Sequence, residues 1–460
     1  MTETKDFDWE GYLLNNHDVA NVECTRRFAK EHWETDGKRE GRIYKRGIDN
    51  YNKLNDFNWW NYVKSNKDLI EAGINTHELA LQHYIKFGIK EQRDGNPISY
   101  NFKEKSNEFG ERFKNNGKKT ILLILHAWGG GTLTFINNLM ESIKDYNYII
   151  MKPLSYNRIV MEYNGKTIMA NINNEHDDVV TFLQKNIDAV HINHFISYNF
   201  ILMCNFIKSL NKPYMITVHD CFFISGIFTC VDFDLPYKYQ SETESLFYNA
   251  KYIISPTRNL ASLISIKYPL SNIVVIPHEE LTYKTIPYNG FKLDSTHPYL
   301  KIGIIGHLDI NKGSDIIKNC LHDINTRKLP IKFYLFGECD VNDPNLIVFG
   351  KYKSLFELDT LIKHVDPDFF WIPGIKYESY CYVLSIIQSY SKPYFLVKNA
   401  TFVERCYGLS GALHYPSHFS SSQISDLFIR TLNNPPSSIS QASIVHPFNI
   451  LYSNYYSDLF

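Results

Sequence analysis

Lys312 and Glu378 are the residues of this chain whose types and settings best suit an activated, phosphate-bearing substrate. Glu378 lies in DFFWIPGIKYESYCYVLSIIQSYSKP (368–393). There a short apolar strand (369–372) passes through Pro373-Gly374 into an acidic loop, then into an apolar helix that stops near Lys392-Pro393. The carboxylate therefore sits where a strand hands over to a helix. In open parallel sheets that carboxyl-end crevice holds ligands, and the helix N-terminus adds free amides and a positive dipole end suited to phosphate. Lys312 lies in LKIGIIGHLDINKGSDIIKNCL (300–321), between a buried strand ending at Gly306 and a helix that Ser314 or Asp315 can cap. A lysine at that entrance is a point charge for a diphosphate, and Gly313 clears space beside it.

The first half of the α/β region offers polar groups rather than charges. HAWGGGT (126–132) ends a strand with Gly129, Gly130 and Gly131, which let backbone approach a ligand, and Thr132 is placed to cap the next helix. The string matches neither Gly-x-Gly-x-x-Gly nor a P-loop, so alone it also fits a tight strand-to-helix turn. DAVHINH (188–194) and PYMITVHDCFF (213–223) are apolar strands with His191, His194, His219 and Asp220 expected at the rim of the first sheet. A histidine there can donate to a sugar hydroxyl or a phosphate oxygen. No His-x3-His helix or third ligand signals a metal site. Two Asp-x-Asp strings, Asp232/Asp234 and Asp366/Asp368, read as incidental.

The elements that must position these residues follow from rhythm. From Thr120 onward strands and helices alternate, an α/β pattern, with one hairpin at Asn164-Gly165 expected as a type I′ turn at a sheet edge. A break near 281–299 separates two domains of comparable size, and a cleft between them is the natural ligand site. Before them lies an internal repeat: Trp9/Trp59, Tyr12/Tyr62 and Asp18/Asp68, then His32/His83, Gly37/Gly88, Glu40/Glu91 and Arg42/Arg93. Each unit reads as two short helices ending at a Gly C-cap, and two units form a small helical domain. The expected division is 1–95 (helical repeats), 96–118 (linker with one short helix), 119–288 (first α/β domain), 289–440 (second α/β domain) and 441–460 (C-terminal helix).

Composition narrows the class. With 460 residues, 44% hydrophobic and 21% charged, the chain buries real cores. Lys+Arg (48) and Asp+Glu (49) nearly cancel, which leaves no basic excess for a nucleic-acid partner. Eight cysteines without a Cys-x-x-Cys are expected to be free thiols. The opening MTETKDFDWEG lacks the basic and apolar regions of a secretory leader, so a cytoplasmic protein is expected, with contact at a membrane surface left open.

Taken together, GGGT, PYMITVHD, IISPT (253–257), VVIPHEE (274–280), GHLDINKGSD and DFFWIPGIKYESYCYVLS resemble glycosyltransferase family 4, in its bacterial polysaccharide-type members. The resemblance covers about 120–400 and not the repeat, whose His-x4-Gly-x2-Glu-Gly-Arg pattern is similar to short repeats of some bacterial and viral surface-glycan proteins. It implies a GT-B fold of two Rossmann-like domains and a nucleotide-sugar donor, UDP- or GDP-linked. It also implies a glycan, polysaccharide or lipid-linked acceptor, retention of anomeric configuration, and neither metal nor resident cofactor. Lys312 would hold the diphosphate, Glu378 would contact the donor sugar, and His219 would lie beside the transferred sugar. Gly130, Gly131, His307, Gly313, Ser379, Tyr380, Cys381 and Tyr382 would line the donor site, and His191, His194 and Asp220 the acceptor side. Two positions depart from the pattern. Ile386 stands where a ribose-binding Glu is usual, with Ser385 or Gln388 as candidate substitutes, and His307 stands where Arg is common. These departures support an alternative: a GT-B protein that binds glycans or partners without catalysis. Residues 1–95 would then, as in the active enzyme, dock to a protein or a membrane surface.

Overall fold

The computed structural model describes most of residues 9–42 and 57–95, then 102–111, 117–226 apart from 128 and 156, and 239–460. Asp232 and Asp234 lie outside the described residues.

The α/β rhythm folds into two Rossmann-like domains. The first is built on strands β1 (Thr120–Ile124), β2 (Asn147–Ser155), β3 (Arg158–Tyr163), β4 (Lys166–Asn171), β5 (Ala189–Ile192), β6 (Tyr214–Thr217), β7 (Tyr252–Ser255) and β8 (Ile273–Val275). Their order is β4-β3-β2-β1-β5-β6-β7-β8. All pairs are parallel except β2–β3 and β3–β4. The β3–β4 hairpin turns through Asn164 (φ 47°) and Gly165 (φ 73°), both left-handed as a type I′ turn requires, and β4 is the sheet edge. β1 is buried at all five positions, as a strand covered on both faces must be.

β9 (Glu280–Pro287) leads into a second parallel sheet of β10 (Leu300–Ile305), β11 (Ile331–Phe336), β12 (Leu346–Val348), β13 (Phe369–Ile372), β14 (Tyr394–Val397) and β15 (Ala412–Tyr415). Its order is β12-β11-β10-β13-β14-β15. Trp371 sits at the centre of its core and donates its indole N–H to Tyr415 (2.9 Å), which satisfies the one polar atom of that ring.

The connection between the sheets differs from the sequence expectation. Within the stretch read as a break, β9 pairs antiparallel with β16 (Ser438–His446), a ribbon that carries the chain out of the second domain and back. Helix Tyr452–Asp458 then packs on the first sheet, and Phe448, Tyr452, Tyr456 and Leu459 join the core formed by β1 and helix Gly130–Ser142. Each large apolar side chain buried there contributes about 2 kcal/mol. The segment read as a linker also belongs to the first domain in part: helix Phe102–Glu111 buries Phe102 and Phe109, and Phe102 meets Phe182 edge-on at 5.5 Å.

In the helical repeats the motif residues are spent on each other. Tyr12 bonds His32 Nδ1 (2.8 Å) and Tyr62 bonds His83 Nδ1 (2.9 Å). Arg42 reaches Asn16 and Glu40, while Arg93 reaches Asn66, Asp68 and Glu91. Gly37 and Gly88 are not left-handed caps. Each closes a π-helical turn, and a Cβ on either would stand 2.4 Å from the tyrosine hydroxyl, so glycine is there to admit the ring.

Cys221 is engaged in a disulfide, against the expectation of free thiols, whereas Cys204, Cys320, Cys339, Cys381 and Cys406 are free. Among the described residues no helix is long and apolar enough to cross a membrane.

Candidate functional site

In each sheet the strand order reverses at one point, between β1 and β5 in the first and between β10 and β13 in the second. Loops that leave carboxyl ends at such points diverge and open a crevice. Here the two crevices face each other and enclose a cleft of about 410 Å³.

The second-domain wall begins at a tight turn. Asp309 accepts the amide of Lys312 (2.9 Å) and caps the turn 310–312. Gly313 follows at φ +89°, and a Cβ there would lie 2.8 Å from the carbonyl carbon of Pro373. Glycine therefore lets the loop after β10 lie directly on the loop after β13. The space it clears is for the Pro373-Gly374 backbone, not for a phosphate as expected. This contact brings Lys312 to Glu378, and Nζ forms an ion pair with Oε1. Burial disfavours the ammonium, but the charge and hydrogen bond of Glu378, joined by Cys381 and Asp309, together more than offset it, and the Lys312 pKa is raised. The Lys312 side chain is 54% exposed, so the pair adds little stability and can open to a ligand. Beside it Lys376 donates to Asn311 Oδ1 (2.6 Å). Helix Tyr382–Ser389 starts at the cleft, preceded by Cys381 in a left-handed conformation (φ 69°); the Leu384 amide bonds the Cys381 carbonyl (3.1 Å), and the amides of Tyr382 and Val383 precede the first intrahelical acceptor.

The first-domain wall is formed by His126, His194, His219, Asp220 and His278. His194 Nδ1 accepts the Ile196 amide (2.9 Å), which assigns the proton to Nε2, facing Asp220 Oδ2 at 3.0 Å. The other oxygen of Asp220 accepts the Phe222 amide (2.9 Å). His219 Nε2 donates to Asn193 Oδ1 (3.0 Å). Burial pushes His126 down to about 4 and His278 to about 3, and holds His219 well below the usual range. At neutral pH these three rings are uncharged. His278 is buried between Phe135, His219 and the parallel ring of Tyr382, and among the described residues neither its Nδ1 nor the Tyr382 hydroxyl has a hydrogen-bond partner.

The walls are joined directly. Ser379 Oγ donates to the His219 carbonyl, Thr257 Oγ1 donates to the Ser379 carbonyl (3.1 Å), and Glu404 accepts the amides of Arg258 and Asn259 (2.7 and 2.8 Å).

Of the residues singled out by sequence, the cleft gathers Gly129, Gly131, Thr132, His194, His219, Asp220, Lys312, Glu378, Ser379, Tyr380, Cys381 and Tyr382. It does not gather all of them. His191, expected at the rim, is fully buried, its two ring nitrogens engaged by Tyr456 (2.6 Å) and Thr217 (2.8 Å), and it staples the returning helix. His307 points outward toward Glu338 (4.0 Å), not into the cleft lining. Gly130 lies within the first turn of its helix, and a Cβ there would meet nothing. Thr132 does line the cleft, as does Gly129, but it does not cap: it lies inside that helix, which Gly129 begins without a side-chain cap. Neither candidate substitute at the Ile386 position reaches the cleft: Ser385 bonds Glu279 and Arg405, and Gln388 bonds Tyr283 and Tyr394. Asp368 anchors β13 by accepting the Lys301 amide (2.8 Å).

Sequence reasoning passed over His278, Lys376, Glu279 and Arg405. The first three stand inside strings already notable, IPHEE and IKYES. Arg405 carries no local signal and is recognised only through its contacts. Among the described residues no group of three or more His, Cys, Asp or Glu is arranged to hold a metal ion.

No family model and no curated protein matches the chain. Among solved structures it is similar to sucrose-phosphate synthase from Thermosynechococcus elongatus, at TM-score 0.47 and 10% identity over 69% of this chain and 90% of that one. It is similar also to Anabaena HepE in complex with UDP and glucose, at TM-score 0.48 and 11% identity over 68% and 90%. A third is the catalytic domain of starch synthase IV from Arabidopsis thaliana bound to ADP and acarbose, at TM-score 0.43 and 12% identity over 68% and 91%.

Proposed function

We propose that this protein is a glycosyltransferase. It moves a sugar from a UDP- or GDP-linked donor to a glycan, polysaccharide or glycolipid acceptor, with retention and without a metal. The observation that carries this reading is the meeting of Lys312 and Glu378 in the interdomain cleft, at the start of helix Tyr382–Ser389 and opposite His219. Transfer breaks the bond between the anomeric carbon and the diphosphate, and the electron pair leaves with the diphosphate oxygen. Lys312, Lys376 and the first-turn amides are placed to stabilise that charge in a partly dehydrated site. Glu378 accepts hydroxyls of the sugar as it gains oxocarbenium character. The acceptor oxygen forms the new bond on the face the leaving group vacates, and its proton passes to the departing diphosphate oxygen. No enzyme base is required, in keeping with a first-domain wall on which burial keeps His126, His219 and His278 uncharged.

Residues 1–95 serve in this reading as a docking module that holds the enzyme near its acceptor, in the cytoplasm or at a membrane surface. With the His and Arg of each repeat used internally, docking falls to exposed side chains such as Trp60 and Phe87.

A second reading, a GT-B binding protein without turnover, is favoured by one observation: Ile386 offers no acceptor for ribose, and Ser385 and Gln388 are committed elsewhere. A panel of nucleotide sugars scored for nucleotide release decides between them, with Lys312→Ala and Glu378→Ala as controls. Release by the wild type that both substitutions abolish is expected. Binding of a nucleoside diphosphate with no release from any donor would select the second reading. Full activity in both variants would defeat the site assignment.

A further inference from the structure

The loop that carries Glu378 into its helix is held from behind by groups no sequence pattern marked. Arg405 lies outside the cleft lining, on helix Ala400–Arg405. Its Nη1 donates to the carbonyls of Tyr380 (2.6 Å) and Cys381 (2.7 Å), and its guanidinium stacks on the Tyr380 ring at 4.0 Å. Its Nη2 donates to Ser385 Oγ (2.8 Å), which in turn donates to Glu279 Oε2 (2.5 Å). Glu279 is buried, and the Tyr380 hydroxyl donates to the same oxygen (3.2 Å) while accepting the Glu279 amide (3.2 Å). Glu279 follows His278 at the exit of the first domain, whereas the other members belong to the second.

Two features give this cluster a direction. Cys381 holds a left-handed backbone (φ 69°), which a residue with a Cβ adopts only at a cost. The two carbonyls that flank this strained link are claimed by a cation on the far side of the loop from the cleft. An anion site fails if a carbonyl turns into it, because the carbonyl dipole repels the charge that amides attract. Arg405 takes both carbonyls out of contention, alone at Tyr380 and together with the Leu384 amide (3.1 Å) at Cys381.

We infer that Arg405, braced by Glu279 through Ser385 and Tyr380, is a positioning residue that keeps the loop 378–382 in the conformation presenting amides to a diphosphate and Glu378 to the donor sugar, and that the clasp is complete only when the two domains are together. The inference rests on the transferase reading for its ligand but not for its geometry. Charge-assisted bonds of this kind are strong and directional. Their loss frees the Cys381 peptide to relax toward the right-handed side, turning a carbonyl inward. Separation of the domains withdraws Glu279 and loosens the same grip.

The test uses the full chain and the variants Arg405→Gln, Arg405→Lys and Glu279→Gln. Amide hydrogen exchange is followed over peptides spanning 376–388 and over the β10–β11 core. Calorimetric titrations compare UDP, GDP and ADP with the parent nucleosides. Arg405→Gln is expected to speed exchange in 378–384 roughly ten-fold with the core unchanged, and to weaken diphosphate binding about ten-fold or more while nucleoside affinity holds. Arg405→Lys, which cannot span both carbonyls and Ser385, should recover only part of each effect, and Glu279→Gln should give a smaller loss in the same direction. Unchanged exchange in 378–384, or equal losses for nucleoside and diphosphate, overturns the clasp. So does exchange rising throughout the second domain in both Arg405→Gln and Arg405→Lys, since the arginine would then hold the fold and not the loop. If exchange rises locally but the wild type binds no nucleoside diphosphate, the clasp stands and the transferase reading falls.

Discussion

The two walls of the cleft are built from different chemistry. The second domain brings two lysines, Lys312 and Lys376, and a carboxylate, Glu378, on loops braced by glycine and by Arg405, and all three line the cleft. The first domain brings four imidazoles, of which His126, His219 and His278 are kept neutral by burial, and a carboxylate, Asp220, already occupied by His194 and a backbone amide. In the proposed reading a diphosphate finds its partners on one side only. The opposite side offers a polar, uncharged and partly aromatic face, suited to sugar hydroxyls. Division of labour in this molecule follows the cost of dehydration: charges are kept where solvent still reaches them, and rings where it does not.

Acidification tests this contrast most severely. His191 and His278 titrate near 3 in the fold against about 6.5 when unfolded. The unfolded chain therefore binds protons that the folded chain refuses, so stability is complete above about pH 6.5 and falls as pH drops toward 3. Each of the two costs about 1.4 kcal/mol per pH unit in that window, or on the order of 4 kcal/mol together between pH 6.5 and 5. Urea titrations at pH 7 and pH 5, with hydrogen exchange to locate the loss, should show the first domain yielding first, although His414 in the second shifts in the same direction. Earlier failure of the second domain would erase the distinction.

Next in size is Gly313→Ala. A methyl group facing the Pro373 carbonyl at under 3 Å, on a left-handed backbone, should destabilise the second domain by about 2–4 kcal/mol. Urea midpoints read against Gly130→Ala sharpen this, because Gly130 shares the positive φ but has open space around it. Similar losses in both variants would show that backbone conformation, not the loop-on-loop contact, sets the cost.

Lys312→Ala should abolish measurable turnover, a loss of about a hundred-fold or more, with little change in the denaturation midpoint because the Glu378 pair is solvent-screened. A large stability loss with modest kinetic change would make the charged wall a structural one. The smallest effect belongs to Tyr382→Phe. Its hydroxyl is buried without a partner, so removal should leave stability within about 1 kcal/mol of the wild type or raise it. A weaker donor KM in that variant would extend ligand contact to the hydroxyl.

Much of the frame was legible before the structure was known. β10 and β13 begin and end where the apolar runs do, and Asn164-Gly165 turns as its residue types demand. Period and turn chemistry are local properties, and these elements obey them. β9 and β16 escaped notice because they pair with each other across the whole second domain, and neither shows a clean alternation of its own. In the site, strand ends located the cleft loops but not the depth of a side chain. His191 and His194 stand three residues apart on one apolar string, yet one is sealed beneath Tyr456 and the other faces the cleft. Nothing within DAVHINH distinguishes them, since the lid over His191 comes from 265 positions further along the chain.

That lid bears on how the protein is made. The domain that emerges earlier from the ribosome is also completed later, because its surface over β1 and helix Gly130–Ser142 stays open until Phe448, Tyr452 and Tyr456 arrive. During synthesis of everything between, an apolar face waits uncovered, a long-range dependence that slows maturation and invites chaperone attention.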